Sequence, residues 1–136
     1  MNNQNDLYIE MIHLTIRAKK HLAIHCESKQ LTPVQGIVLI ILEPSKTKTM
    51  HELSETMGCD ASNITGLVDR LEIHGLIERS SCDSDRRIKQ IKLTQKGLDC
   101  RKDIVSALKK AEVVDLSKLS DEEIAQLTKL ISKVLS

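Results

Sequence analysis

Arg86, Arg87, Lys89, Lys92 and Lys96 follow one another with no acidic residue between them. That is chemistry for phosphate. Guanidinium and ammonium groups displace counterions from a nucleic-acid backbone, and an arginine at a protruding tip fits the narrow minor groove, where negative potential is concentrated. Asp85, immediately before, is placed to orient one of the two arginines. A second cluster lies upstream. Ser62, Asn63, Thr65, Gly66, Asp69 and Arg70 are set among Ile64, Leu67, Val68 and Leu71, whose spacing is that of the buried side of a helix. The polar set therefore forms an outer ridge. Short polar side chains near a helix N-terminus suit base edges in a major groove. Asn63 can pair with adenine through two hydrogen bonds, and Arg70 can bind guanine or phosphate. Lys48 is a further basic candidate for the same partner.

These side chains need rigid elements to present them. Residues 7–26 repeat Leu7, Met11, Leu14, Ala18 and Leu22 at the spacing of one helical face, with Tyr8, Ile12 and Ile16 beside it. So wide an apolar surface needs partners on two sides, and a second subunit can supply one. Thr32, Pro33 and Gln35 make a compact helix start: a cap, a first position that needs no N–H, and a side chain that reaches back. The apolar run behind them ends near Glu43 and Pro44. Thr49 with Glu52 repeats the capping-box spacing and opens a short helix to Met57. Asp60 caps the next, to about His74, where Gly75 can take the left-handed stop conformation. Two short helices around Gly58, Cys59 and Asp60, with Leu53, Met57, Cys59, Ile64 and Leu67 facing inward and the small Ser54 at the crossing, predict a helix-turn-helix. Residues 76–80 and 88–93 then read as strands around a polar loop, 81–87. Thr94 caps a long helix through Leu98, Val105, Leu108 and Ala111. Ser120 with Glu123 opens a last one, whose Ile124, Leu127, Ile131 and Val134 are spaced as in a coiled-coil seam. The order is that of a winged helix: mainly α with a small β-hairpin.

Composition narrows the function classes. The 136 residues make one domain-sized unit, and a net charge of +1 argues neither for nor against a nucleic-acid partner. With 1% aromatic residues, Tyr8 alone, a base-stacking platform for single strands is excluded. The longest apolar run, residues 37–42, is far shorter than a membrane span. The first residues lack the basic start and apolar stretch of a signal peptide, so a cytoplasmic protein is expected, with Cys26, Cys59, Cys82 and Cys100 as thiols. No phosphate-binding glycine loop, nucleophile elbow or H-E-x-x-H motif is present, and no enzyme is read from the chain.

Residues 31–35 (LTPVQ), 67–72 (LVDRLE), 75–79 (GLIER), then Asp85-Arg86-Arg87 with Leu93-Thr94 and Lys96-Gly97, resemble the MarR family of bacterial transcriptional regulators over nearly the whole chain, from residue 7 to 136. The resemblance implies a single unit over 1–136, with a winged helix-turn-helix lobe at 31–97 and dimerisation helices at 6–28 and 98–136. It implies a homodimer, most often a repressor, on a pseudo-palindromic double-stranded operator, released by a small-molecule effector or an oxidant. Ser62 to Arg70, on a recognition helix at about 60–74, would enter the major groove. Arg87 or Arg86, on a wing at 80–88, would enter the minor groove with Asp85 as brace. Leu7, Met11, Leu14, Ile124, Leu127, Ile131 and Val134 would lie in the dimer interface.

Relatives of this kind sense phenolic acids, peroxides or metals. His21, His25, Cys26 and Glu27 offer half of a zinc site, but the long helix after Thr94 has no histidine to complete it, and no metal or other cofactor is assigned. Asp83 and Asp85 are expected to raise the pKa of Cys82, and the sequence leaves open whether Cys26, Cys82 or Cys100 is redox-active. An effector pocket between the dimerisation helices and the lobe would have aliphatic walls. The alternatives are a winged-helix module that binds proteins and no longer DNA, and a thiol- or metal-responsive member of the same family.

Overall fold

The computed structural model describes residues 3–110 and 113–136. Its elements are α1 (Asn3–Glu27), α2 (Pro33–Ile41), β1 (Lys48–Thr49), α3 (Met50–Met57), α4 (Ala61–Ile73), β2 (Ile77–Ser81), β3 (Lys89–Leu93), α5 (Gln95–Leu108), a single 3-10 turn (Leu116–Lys118) and α6 (Asp121–Leu135). Every helix start read from the sequence carries its cap. At α2, Thr32 Oγ1 accepts the Gln35 N–H at 3.2 Å while Gln35 Oε1 accepts the Thr32 N–H at 2.9 Å. The same reciprocal pair forms at Thr49 with Glu52 and at Ser120 with Glu123. Asp60 and Thr94 cap α4 and α5 through the N–H groups of Asn63 and Gly97. Each cap satisfies donors that the helix cannot satisfy itself and contributes about 1 kcal/mol.

The sheet has the order β1-β3-β2, all antiparallel. Ile77 pairs with Leu93 and Ser81 with Lys89, so the hairpin narrows to a loop at 82–88. β1 has no counterpart in the sequence reading. Two residues cannot display an alternation, and Lys48 becomes a strand residue only because Ile91 lies opposite. α5 differs in a smaller way: it ends at Leu108, and Ala111 lies outside the described residues. Its fully buried side chain is Ile104, with Leu98, Val105 and Leu108 only half-buried.

The core lies inside the lobe. Val38 and Leu39 of α2, Leu53 of α3, Ile64, Val68 and Leu71 of α4, Ile77 and Ile91 of the sheet and Ile104 of α5 close around one another, joined by Leu22 and Cys26 from the last turns of α1. The rest of α1 stands clear of it: Leu7, Met11 and Leu14 are 60%, 44% and 47% exposed. On α6, no residue is buried, and Ile124, Leu127, Ile131 and Val134 are 36% to 74% exposed. Among the described residues, no helix is long and apolar enough to cross a membrane.

Candidate nucleic-acid interface

The site is set by the turn between α3 and α4. Gly58 ends α3 at φ +62°, in the left-handed region that a residue with a Cβ enters at a cost, and its N–H returns to Glu55 and Ser54. Leu53 and Ile64 are fully buried across the turn, with Met57, Cys59 and Leu67 half-buried beside them. Locking these inner positions leaves one orientation for α4, with Ser62, Asn63, Thr65, Asp69 and Arg70 exposed along its outer ridge. Gly75, at φ +72°, then turns the chain into β2.

The ridge is chemically uneven. Ser62 Oγ donates to Asp60 Oδ1 at 2.9 Å, and Thr65 Oγ1 donates to the Ala61 carbonyl at 2.8 Å. Both hydroxyl protons are thus engaged, and the two side chains face solvent as acceptors. The Asn63 side-chain amide and the Arg70 guanidinium have no intramolecular partner among the described residues, so their donors face outward. The Asp60 carboxyl is held below its ordinary pKa, first by the Asn63 N–H and then by the Ser62 hydroxyl. Gly66 sits between Asn63 and Arg70 with nothing within 4 Å of where a Cβ would stand. No neighbour in the fold requires a glycine there, although one inside a helix is about 1 kcal/mol worse than alanine.

The wing tip is organised around Asp85. One carboxyl oxygen accepts the Arg87 N–H at 3.0 Å and the Arg87 Nε at 3.2 Å, and the other accepts Nη2 at 3.2 Å. The Arg87 guanidinium, itself mostly in solvent, holds the Asp85 carboxyl below its ordinary pKa, with the Arg87 backbone N–H second. Asp85 thus orients Arg87, and Arg86 has no ion-pair partner among the described residues. Lys89 Nζ reaches Ser81 Oγ at 3.2 Å across the base of the loop. The other two cations of the basic run are used inside the fold: Lys92 pairs with Glu78 at 3.0 Å, and Lys96 Nζ donates to the His74 carbonyl at 2.8 Å. The sequence count of five therefore reduces to three at the tip. Lys48 lies on the far edge of the sheet, near Glu43, and joins neither the ridge nor the tip.

One residue of the region, within the 75–79 stretch, was given no role by the sequence. Arg79, on β2, donates through Nη2 to Asp69 Oδ1, and its Nε lies 3.5 Å from Glu72 Oε1. Asp69 is therefore turned toward the sheet and is not part of the outward-reading set. The pair joins a helix to a strand ten positions on, a spacing that no helical or strand period reveals.

The groups read as sensors are placed as follows. Cys82 departs from expectation: its thiol is pulled down, because the Ser84 hydroxyl, 3.1 Å away, and the N–H groups of Ser84 and Asp85 outweigh the charge of Asp83. Burial pushes Cys26 and Cys100 up. His21 is buried, its ring 5.2 Å from that of His25, and no group of three or more metal-ligating side chains occurs among the described residues. A cleft of about 420 Å³ where the α1–α2 turn meets α5 is lined by Leu31 and Leu76 together with Lys29, Lys96, Asp99 and Asp103, a mixed aliphatic and charged surface.

Comparison with solved structures gives the same architecture over the whole chain. A transcriptional regulator of the MarR family from Rhodococcus sp. RHA1 matches at TM-score 0.80 and 23% identity, over 96% of this chain and 94% of that one. The YusO protein of Bacillus subtilis matches at TM-score 0.64 and 26% identity, over 99% and 97%. A cysteine-to-serine variant of MarR from E. coli, complexed with operator DNA, matches at TM-score 0.66 and 24% identity, over 100% and 99%. The family model described as MarR family covers residues 31–89, the span from the α2 cap through the helix-turn-helix to the end of the wing loop. The family model thus matches the lobe, and the fold of a MarR-family regulator extends over the full length of the chain.

Proposed function

We propose that this protein is a homodimeric transcriptional regulator, acting as a repressor, that reads a pseudo-palindromic double-stranded operator with α4 in the major groove and the 82–88 wing loop in the minor groove. The observation that carries this reading is the outer ridge of α4. Among the described residues, Asn63 and Arg70 present unengaged donors on either side of Gly66, and nothing lies within 4 Å of where a side chain at Gly66 would begin. A close-approaching base pair can occupy that space. The oriented Arg87 and the nearby Arg86 and Lys89 supply the phosphate and minor-groove contacts. The E. coli relative with operator DNA in its crystal supports the same use of the fold. Apolar rows on α1 and α6, open to solvent in a single chain, support dimerisation through Leu7, Met11, Leu14, Ile124, Leu127, Ile131 and Val134.

The test is selection of bound sequences from random duplex DNA, with and without zinc and with and without peroxide, followed by titration of the selected duplex. Arg86→Ala and Arg87→Ala should weaken binding while leaving the thermal melt unchanged, and each lost phosphate contact should lower the salt slope by about one. Unchanged affinity in both variants rejects the wing assignment. A selection that enriches no sequence favours a protein-interaction module instead.

A further inference from the structure

We propose that Arg79 is a positioning residue for DNA reading, one that acts through Asp69 and Glu72 by neutralising their charge beside the recognition ridge and that does not itself touch phosphate. The inference rests on the DNA-binding function proposed above. Thr65, Asp69 and Glu72 follow one another at i, i+4 and i+7, so they form one column on α4, along the flank nearest β2. The two carboxylates are about half exposed, at 50% and 44%. A polyanion docked on Ser62, Asn63, Gly66 and Arg70 meets this flank directly, and two uncompensated negative charges there would oppose it. Arg79 answers both. It lies on the face of β2 that also carries the buried Ile77, its side chain only 26% exposed, with Nη2 hydrogen-bonded to Asp69 and Nε, which makes no hydrogen bond, at ion-pair distance from Glu72. A planar fork can hold two acids at once where an ammonium centres on one.

Two features separate screening from phosphate contact. Arg79 is the more covered partner in both pairs, and its Nη2 is already donated to Asp69. Arg70, adjacent in sequence to Asp69, has no acidic partner among the described residues, so the ridge keeps its own cation for DNA.

The experiment is an anisotropy titration of the duplex selected by the wild-type chain, run over a salt series, with a thermal melt of each variant. Arg79→Ala should bind at least about tenfold more weakly, because like charges are now juxtaposed, with the salt slope not reduced. Adding Asp69→Asn and Glu72→Gln to Arg79→Ala should restore affinity to within about threefold of wild type, since the three groups form one coupled set. Arg79→Lys should fall between. The proposal is overturned if Arg79→Ala binds like wild type, or if its salt slope falls by about one, which is the mark of a phosphate ligand. It is also overturned if the triple variant melts like wild type yet stays as weak as Arg79→Ala. Should Arg79→Ala fail to fold, Asp69→Asn with Glu72→Gln carries the test: binding at least as tight as wild type is expected, and weaker binding overturns the proposal. A wild-type chain that enriches no duplex defeats the DNA-reading function itself, a result distinct from every variant outcome.

Discussion

The lobe from α2 to β3 and the two terminal helices are built from the same aliphatic residues on opposite terms. In the lobe, Leu39, Leu53, Ile64 and Leu71 are at most 1% exposed and close a core within one chain. On α1 and α6, Leu7, Leu14, Leu127 and Ile131 are between 39% and 60% exposed, at spacings just as regular. Both regions also have ordered helix starts, and α6 carries a full capping box. The difference teaches that helix formation and burial are separate matters. Caps and periodicity make the helix, but an apolar stripe contributes its roughly 25 cal/mol per Å² only when something covers it. In the lobe that cover is intramolecular. For the terminal helices the proposed cover is a second copy.

The contrast is broken most severely in the core. Leu71→Ala should cost about 2–5 kcal/mol through lost transfer energy and the cavity left behind, at any protein concentration, as read by urea denaturation. The same substitution at Leu127 should instead make the midpoint depend on concentration, because stability there is linked to association. A Leu127→Ala midpoint identical at high and low concentration, with wild type equally indifferent, would remove the basis for dimerisation. Next in size is Ile131→Glu, which places a charge in the α6 seam. Truncation at the centre of an interface costs more than about 1–2 kcal/mol of association, so sedimentation velocity should show the mass fall toward that of one chain while the lobe keeps its circular dichroism. An unchanged mass would place the subunit contact elsewhere.

Gly66→Ala sharpens the comparison from the functional side. Replacing an unconstrained mid-helix glycine should raise stability by up to about 1 kcal/mol, yet weaken the proposed DNA complex, because the methyl group occupies the close-approach point. Opposite signs in the melt and the titration are the expected signature. Equal or tighter DNA binding would show that the glycine has no such purpose.

The smallest effect concerns pH. The Asp60 carboxyl is held below its ordinary value by the Asn63 N–H and the Ser62 hydroxyl. A carboxyl whose folded pKa lies below the unfolded one contributes stability above the unfolded value and loses it as pH falls through the folded one. Asn is an equally good cap. Asp60→Asn should therefore leave the neutral-pH melt nearly unchanged and flatten its decline toward about pH 3. Parallel declines in both proteins would assign the acid sensitivity to other groups.

Most of the lobe was legible because its signals are local. Thr32 with Gln35, Thr49 with Glu52, Asp60, Gly75 and Thr94 announce element ends within three or four residues, and the caps formed as read. The buried face of α4 followed from helical period alone, whereas Asp69 of the outer set is turned toward the sheet by Arg79. β1 was not legible, since two residues carry no period, and neither was the fate of the basic run. Lys92 and Lys96 look identical to Lys89 in sequence, and only a hairpin register that brings Lys92 opposite Glu78 and a helix start beside the His74 carbonyl separates them. The sign of the Cys82 shift was misread for a related reason. Counting nearby acids weighed charge, while the folded loop supplied hydrogen bonds to the sulfur at shorter range.

By itself, then, the sequence determined where the capped helices begin, which face of α4 turns inward, that a β-hairpin follows α4, and that the terminal helices carry more apolar surface than one chain covers. Those follow from backbone capping and side-chain period, which act over a few residues. Only the tertiary structure decided which charges are spent inside the fold and which are left to meet a partner: Asp69 and Glu72 to Arg79 and Lys92 to Glu78, with Arg87 the one of the two arginines that Asp85 holds, and Arg70 and Arg86 unpaired among the described residues. Coulombic pairing depends on distance through space, and the nine residues between Asp69 and Arg79 contain the turn that makes that distance small.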